Sequence, residues 1–361
     1  MKFDDKEYSI YCGEKIKVQI FGASHSKEIG VFVKGFKGER VDLEKVQEFV
    51  DRRQAKNTAY STKRLEGDKI EVQRGLKNGK LKGSFKAVIK NTSQKSKDYQ
   101  HLIKTPRPSH ADFVAYTKYG EKFDYRGGGK FSGRLTAPMC IVGGICKQIL
   151  QSKGITINAY ISQIGDIKGA SYLSTDIEKI DLCNLDKDFP LLDGTKKQEM
   201  LDKIESARQD LDSLGGVIEC VIKGVPVGTG EYMFDSLESK ISHLAFGVPA
   251  VKGIEFGSGF TLAQMKGSVA NDSFYYDKDG AVKTKTNNNG GINGGIANGM
   301  PITFRVVIKP TPSIAKEQDT INLQTKENVK LKIEGRHDSC ITPRAVPVIE
   351  AISAIAIFDS I

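Results

Sequence analysis

His25, His110 and His337 each fall in a stretch rich in glycine, arginine or both, and these stretches hold the chemistry of the sequence. The densest is residues 107–136, RPSHADFVAYTKYGEKFDYRGGGKFSGRLT, which carries His110, Arg107, Arg126, Arg134 and the consecutive glycines Gly127 to Gly129. Arginine offers paired donors that match phosphate and carboxylate oxygens. Glycine lets backbone N–H groups approach a ligand closely, and histidine holds or moves a proton near neutral pH. This stretch points to a pocket for a phosphorylated or polycarboxylated small molecule. Taken alone, it also reads as a glycine-rich loop with a solvated basic rim.

Other segments add to the same chemistry. In FGASHSKEIGV, Ser24 and His25 sit on a turn after a strand. Adjacent loop side chains usually point apart, so they are not a nucleophile–base pair, and a plain loop histidine is the alternative. NNNGGINGGIANG, residues 287–299, has two Gly-Gly pairs that suit close approach to a flat or phosphorylated ligand, or a hairpin loop. KPTPSI offers Lys309, Thr311 and Ser313. His337 and Asp338 are flanked by Arg336 and Arg344. The roles on offer are two proton holders and an aspartate-assisted base. A G-x-x-x-x-G-K-[ST] loop is absent, as is a strand–G-x-G-x-x-G–helix unit, so the anion pocket is not a standard nucleotide fold.

The elements that position these residues follow from periodicity. Residues 15–21 and IGVFVKGF alternate as strands, and 69–90 read as an antiparallel hairpin. Residues 42–53 form a helix capped by Asp42, with Leu43, Val46, Phe49 and Val50 on one face. Residues 134–152 suggest a buried helix that Gly143 and Gly144 allow to pack closely. Strands follow at 155–165, 216–226 and ITFRVVIK. Helices follow at 196–212, with Met200, Leu201, Ile204, Ala207 and Leu211 on one side, at 235–245, and at the C-terminus. Residues 246–260 read as short strands and turns, and a charged connection follows KPTPSI. The class is α+β with antiparallel sheet, in a single domain spanning 1–361.

Composition narrows the partners. The 361 residues are 39% hydrophobic and 27% charged with a net charge of +10, which favours anionic partners. The lysines are dispersed, which argues against nucleic acid. Six cysteines form no C-x-x-C pair, so no metal is expected and a reducing cytoplasm fits. The first residues lack an apolar core segment, and no run of about 18 apolar residues occurs, so neither a signal peptide nor a membrane span is expected.

Read in order, FGASHS, RPSHAD, YRGGGKFSGR, PAVKGIEFG, GGINGGIANG, KPTPSI and GRHDSCITPRAVP resemble the chorismate synthase family, from about residue 11 to 358. The resemblance implies a β-α-β sandwich, with a helical layer between two antiparallel sheets, and a cytoplasmic homotetramer. It implies trans-1,4-elimination of phosphate from 5-enolpyruvylshikimate 3-phosphate to give chorismate, the last step of the shikimate pathway. The reaction needs reduced FMN without net redox change. By resemblance His25 assists the departing phosphate, His110 protonates or polarises the reduced flavin, and Asp338 relays a proton from it. Ser24, Arg53, Arg134 and Arg344 then hold substrate. Lys130, Phe131, Ser132, Pro249, Ala250, Gly294, Lys309, Pro310, Thr311, Pro312, Ser313 and Arg336 contact flavin. Several positions depart from the common pattern. Ala23 stands for Glu, Ser26 and Ser109 for Gly, and Lys130 and Phe131 for Arg and Ser. Ala59 stands where a second arginine contacting nicotinamide or phosphate is often found. NADPH therefore enters only if the chain reduces its own flavin; otherwise an external flavin reductase supplies it. Both histidines and Asp338 are retained, so an active enzyme is expected. A flavin-binding relative without the lyase step, resting on Ala23 and Phe131, is the alternative within this resemblance.

Overall fold

The computed structural model describes residues 8–55, 67–92, 104–120, 123–174, 182–333 and 337–361. Among them, period-two alternation builds an antiparallel sheet from β1 (Ser9–Cys12), β2 (Lys17–Phe21), β3 (Glu28–Lys34), β4 (Glu71–Lys77) and β5 (Lys80–Lys90), in the order β1-β2-β3-β5-β4. Its inner face is Val18, Ile20, Ile29, Val31, Val33, Phe85, Ala87 and Ile89, all buried.

A second antiparallel sheet uses β6 (Thr156–Ile164), β7 (Ile167–Lys168), β8 (Gly216–Lys223) and β9 (Val251–Phe256). Two small hairpins follow, β10 (Phe274–Tyr276) with β11 (Val282–Thr284), and β12 (Ile292–Asn293) with β13 (Ile296–Ala297). β14 (Ile302–Ile308) then completes the order β7-β6-β8-β14-β9.

The helices among the described residues are α1 (Leu43–Asp51), α2 (Asp112–Tyr119), α3 (Thr136–Gln151), α4 (Lys197–Gln209), α5 (Leu237–Phe246), α6 (Gly267–Ala270) and α7 (Thr342–Ser360). Of these, α1, α3, α5 and α7 form a layer between the sheets. α3 packs on β3 and β5, α7 packs on β6 and β8, and the two helices pack on each other. α1 flanks α3 and α5 flanks α7. α3 and α7 are apolar nearly all round, as helices in a central layer must be. A Cβ on Gly143 would lie 2.3 Å from Ala351 Cα, so the bare glycine is what lets α3 and α7 cross this closely. Asp42 caps α1 by accepting from the N–H groups of Glu44 and Lys45.

Two buried carboxylates of α7 tie the layers together. Asp359 accepts from the backbone N–H groups of Glu14, Lys15 and Ile16, which fixes the β1–β2 turn. Glu350 takes both guanidinium nitrogens of Arg52, at 2.8 and 2.9 Å, and also the ammonium of Lys147. Burial opposes ionisation of Glu350, but Lys147 and Arg52 override it and hold the carboxyl at about 2. Its folded pKa is therefore below its unfolded value. The stabilisation is present above the ordinary glutamate range and is lost as pH falls from about 4.5 towards 2. Glu350→Gln should lower stability by about 3 kcal/mol at neutral pH, because Arg52 and Lys147 lose their anion. It should also flatten acid unfolding in that window, which denaturant titration at pH 7 and pH 3 checks.

The structure differs from the periodic reading in two places. α4 ends at Gln209, and Leu211 turns out to solvent with φ 59° instead of continuing the apolar side. The charged connection after KPTPSI contains a hairpin, β15 (Gln318–Asn322) with β16 (Glu327–Leu331). Its strands are mostly polar and exposed, so alternation does not reveal them. Among the described residues no helix is long and apolar enough to cross a membrane.

Candidate active site

The loops at the ends of these elements enclose a cleft of about 670 Å³, within the usual range of ligand pockets. Its wall draws on the turn after β2, the segments around Arg107–Ala111 and Gly127–Thr136, and the loops around Phe246–Lys252 and Lys309–Ser313. The start of α7 and the residues before it complete the wall. The glycine run is the joint of this wall. Gly127, Gly128 and Gly129 take φ of 57, 90 and 54°, which side-chain-bearing residues rarely adopt. A Cβ on Gly127 would lie 2.6 Å from His25 Cε1, and one on Gly128 would lie 3.4 Å from His110 Nε2. The bare backbone therefore threads between the two histidines, and Ser24 N–H donates to Gly129 O at 3.1 Å.

His110 is fixed by an ion-paired relay. Its Nδ1 lies 2.6 Å from Asp112 Oδ1. Arg107 donates to the same carboxylate from Nε at 2.6 Å and from Nη2 at 2.8 Å, and reaches Ser313 Oγ at 3.1 Å. Burial opposes ionisation of Asp112, but the hydrogen bonds from Arg107 and His110 outweigh it and hold the carboxyl well below the usual carboxylate range. An ionised carboxylate only accepts, so His110 carries its proton on Nδ1 and leaves Nε2 for proton chemistry.

An arginine cluster forms a second group. Arg53 and Arg134 are both buried, and both bind Asp68, which is 1% exposed. Arg53 Nε also donates to Thr136 Oγ1 at 2.8 Å, and Arg134 Nε to Asn91 Oδ1 at 3.0 Å. Burial lowers the pKa of Arg53, Asp68 opposes that shift, and the neighbouring Arg344 and Arg134 add to it. Arg344 donates to Arg53 O at 3.1 Å and to Asp338 Oδ2 at 2.7 Å, so one guanidinium links the arginine cluster to the aspartate. Lys309 bonds Ser109 O at 2.6 Å, and burial together with Lys252 lowers its pKa. Seven cationic side chains line the cleft, and Asp338 is the lining carboxylate among the described residues.

The remaining wall is apolar. Phe131, Val248, Pro249, Ala250, Ile341, Ala345 and Val348 supply a surface for a planar ring. Phe131 leans on Phe123, with ring centroids 5.7 Å apart, and Phe123 stacks on Tyr119. Two buried polar atoms of lining residues, Thr311 Oγ1 and His337 Nε2, have no hydrogen-bond partner among the described residues. Cations, apolar wall and orphaned polar atoms together fit a ligand with a flat ring and an anionic group. No group of three or more histidine, cysteine, aspartate or glutamate side chains among the described residues could hold a metal.

Of the expected site residues, Ser24, Arg53, His110, Lys130, Phe131, Ser132, Arg134, Pro249, Ala250, Lys309, Thr311, Pro312, Ser313, Asp338 and Arg344 line this cleft. Three do not. His25 is buried beside the glycine run, where a Cβ on Gly127 would lie 2.6 Å from its ring, and it is not one of the residues lining the cleft. Gly294 is exposed on the tight β12–β13 turn, and the glycine beside it, Gly295, closes against Glu231 O of the same chain. Pro310 is not one of the residues lining the cleft and packs beside Gly215. Arg336 and Ala59 lie outside the described residues. Sequence reasoning assigned no role to Asp68, Asp112 or Lys252. Asp112 opens α2 two residues after His110, a position that could have suggested the pair.

A cationic cleft with one ion-paired histidine and one ion-paired aspartate, set in a helical layer between two antiparallel sheets, defines an enzyme for a small polyanion. Comparison with known proteins narrows that class. The chorismate synthase family model matches residues 16–361. A chorismate synthase of Methanococcus aeolicus is 42% identical over 357 residues, covering 96% of this chain and 95% of that protein. One of Dehalococcoides mccartyi is 40% identical over 349 residues, with the same coverages. A solved crystal structure of chorismate synthase superposes with a TM-score of 0.75 at 23% identity, over 97% of this chain and 92% of that one, and shows the same fold. The chain belongs to the chorismate synthase family, whose members are carbon–oxygen lyases.

Proposed function

We propose that this chain converts 5-enolpyruvylshikimate 3-phosphate to chorismate and inorganic phosphate by trans-1,4-elimination, with reduced FMN in the cleft. The observation that carries this reading is the convergence in one cavity of an arginine cluster, the His110–Asp112–Arg107 relay and the Asp338–Arg344 pair. The substrate bears a phosphate and two carboxylates, which the cluster of Arg53, Arg134 and Arg344 suits. Fixed cations also stabilise the charge that develops on a departing phosphate. Reduced flavin held by this wall would lend electron density to the substrate with no net redox change. Asp338 accepts a proton at its carboxylate, and Arg344 orients it. His110 holds or donates a proton at Nε2, and Asp112 fixes its tautomer. The apolar residues of the wall exclude water from the ring. Lys130, Ser132, Thr311, Ser313 and Lys309 are suited to the anionic part of the cofactor. Phosphate and chorismate should appear in equal amounts from protein, substrate and reduced FMN without oxygen. Protein that binds FMN but releases no phosphate would instead be a flavin-binding relative without the lyase step.

Residues 1–361 act as one domain in this reading, which the continuous core running through both sheets and the helical layer supports. The reduced flavin comes from an external reductase, or from NADPH if the chain reduces its own. The working state is a cytoplasmic homotetramer. Phe234 is 90% exposed, Phe260 82%, Tyr276 77% and Met233 73%, large apolar side chains that a subunit contact would cover. Light scattering should give four times the chain mass. Phe234→Asp combined with Tyr276→Asp should shift it to a smaller assembly, and a monomeric parent would contradict the tetramer.

A further inference from the structure

We propose that His337 is a ligand-binding residue of the cleft, donating one uncharged hydrogen bond from Nε2 to an acceptor atom of the bound anion. The inference rests on the reading of this cavity as the flavin and substrate site. His337 lines the cleft beside Asp338, yet no step of the reaction above uses it. Its Nε2 is buried and has no hydrogen-bond partner among the described residues. A buried ring nitrogen left unpaired is costly, and such atoms are characteristically satisfied when a ligand completes the site. Thr311 Oγ1, on the same lining, is orphaned in the same way. Two such atoms in one cavity point to a ligand with polar atoms of its own rather than to a local packing fault.

The surroundings specify the kind of bond. Burial lowers the pKa of His337, Arg107 and His110 lower it further, and Asp338 acts in the opposite sense. The ring is therefore neutral near neutral pH. In the tautomer with the proton on Nε2 it is a directional donor that adds no charge. A cavity already crowded with arginine and lysine needs no further cation to attract an anion. A neutral donor fixes orientation instead. The acceptor is an oxygen or nitrogen of the flavin, or a carboxylate or phosphate oxygen of the substrate, and the test separates the two.

Quenching of FMN fluorescence gives the flavin Kd, and steady-state phosphate release gives KM for 5-enolpyruvylshikimate 3-phosphate. His337→Ala should weaken one of them by about ten-fold or more, with kcat at saturation within a few-fold. A loss confined to FMN assigns the bond to the flavin, and one confined to KM assigns it to the substrate. His337→Gln, whose amide nitrogen reaches about where Nε2 sits, should recover most of the loss. Unchanged Kd and KM in the alanine variant would overturn the proposal. So would equal losses in both variants, with or without a lower melting temperature, because the ring would then act by its shape. Parent protein that binds neither ligand would overturn the assignment of the cleft itself, and this inference with it.

Discussion

Replacing His110 with alanine should lower kcat by about 10²–10⁴-fold while KM for the phosphorylated substrate stays within about three-fold. The split follows from the site. In the proposed reading the anionic substrate is held by Arg53, Arg134 and Arg344, whose hydrogen bonds run to Thr136, Asn91 and Asp338 and not to His110. His110 is instead tied to Asp112 at 2.6 Å, and Asp112 to Arg107, an arrangement that fixes a tautomer rather than binding a ligand. Asp112→Asn should act through the same atom with a smaller loss, because an amide in place of the carboxylate no longer dictates which ring nitrogen carries the proton. Asp112 is held below the usual carboxylate range, so its folded pKa lies below its unfolded value. Its support for the relay persists above that range and is lost only as pH falls through the depressed value. Acid loss of activity near neutral pH must then come from another group. A fall in binding that matches the fall in turnover in His110→Ala would move the residue from proton handling to substrate contact.

Asp338→Asn should be about as damaging, with kcat reduced by about 10²–10³-fold and substrate binding unchanged or tighter. The carboxylate is the proton acceptor of the proposed elimination, and an amide cannot accept that proton. The same change removes the anion that Arg344 binds at 2.7 Å and leaves the cleft more cationic. A polyanionic substrate should therefore bind at least as well to the variant. Rapid-quench measurement of phosphate formation, alongside equilibrium binding of substrate, separates the two quantities. Turnover near that of the parent would remove Asp338 from the mechanism.

Much of the fold can be read from the sequence. β2 and β3 set Val18, Ile20, Ile29, Val31 and Val33 at alternate positions, and α1, α3 and α7 bury apolar faces. Gly143 in an apolar helix signals close packing, and the Cβ distance to Ala351 gives the reason. The site is legible where residue type alone carries the chemistry, as at His110, Gly127 to Gly129, Arg134 and KPTPSI. It is not legible where direction decides. His25 stands in a glycine-flanked turn, but only the folded backbone shows its ring packed against Gly127. The glycines around 290–295 were open to a ligand reading or a hairpin reading. Gly290 packs against Gly257 and Gly291 against Pro301, so those two close turns of the chain itself. Asp68 sits in a short charged segment with no periodic pattern, so nothing in the order of residues brings it to Arg53 and Arg134. A buried carboxylate bridging two arginines depends on a tertiary approach that neither propensity nor spacing encodes.

A redox-neutral elimination consumes no flavin, so the ratio of product formed to flavin oxidised distinguishes it from a net reduction. With a limiting amount of FMN, reduced once and kept free of oxygen, the chain should form many molecules of chorismate per flavin. The flavin spectrum should return to the reduced form when substrate is exhausted. One flavin oxidised for each product formed, or no chorismate from folded, flavin-bound protein, would contradict it.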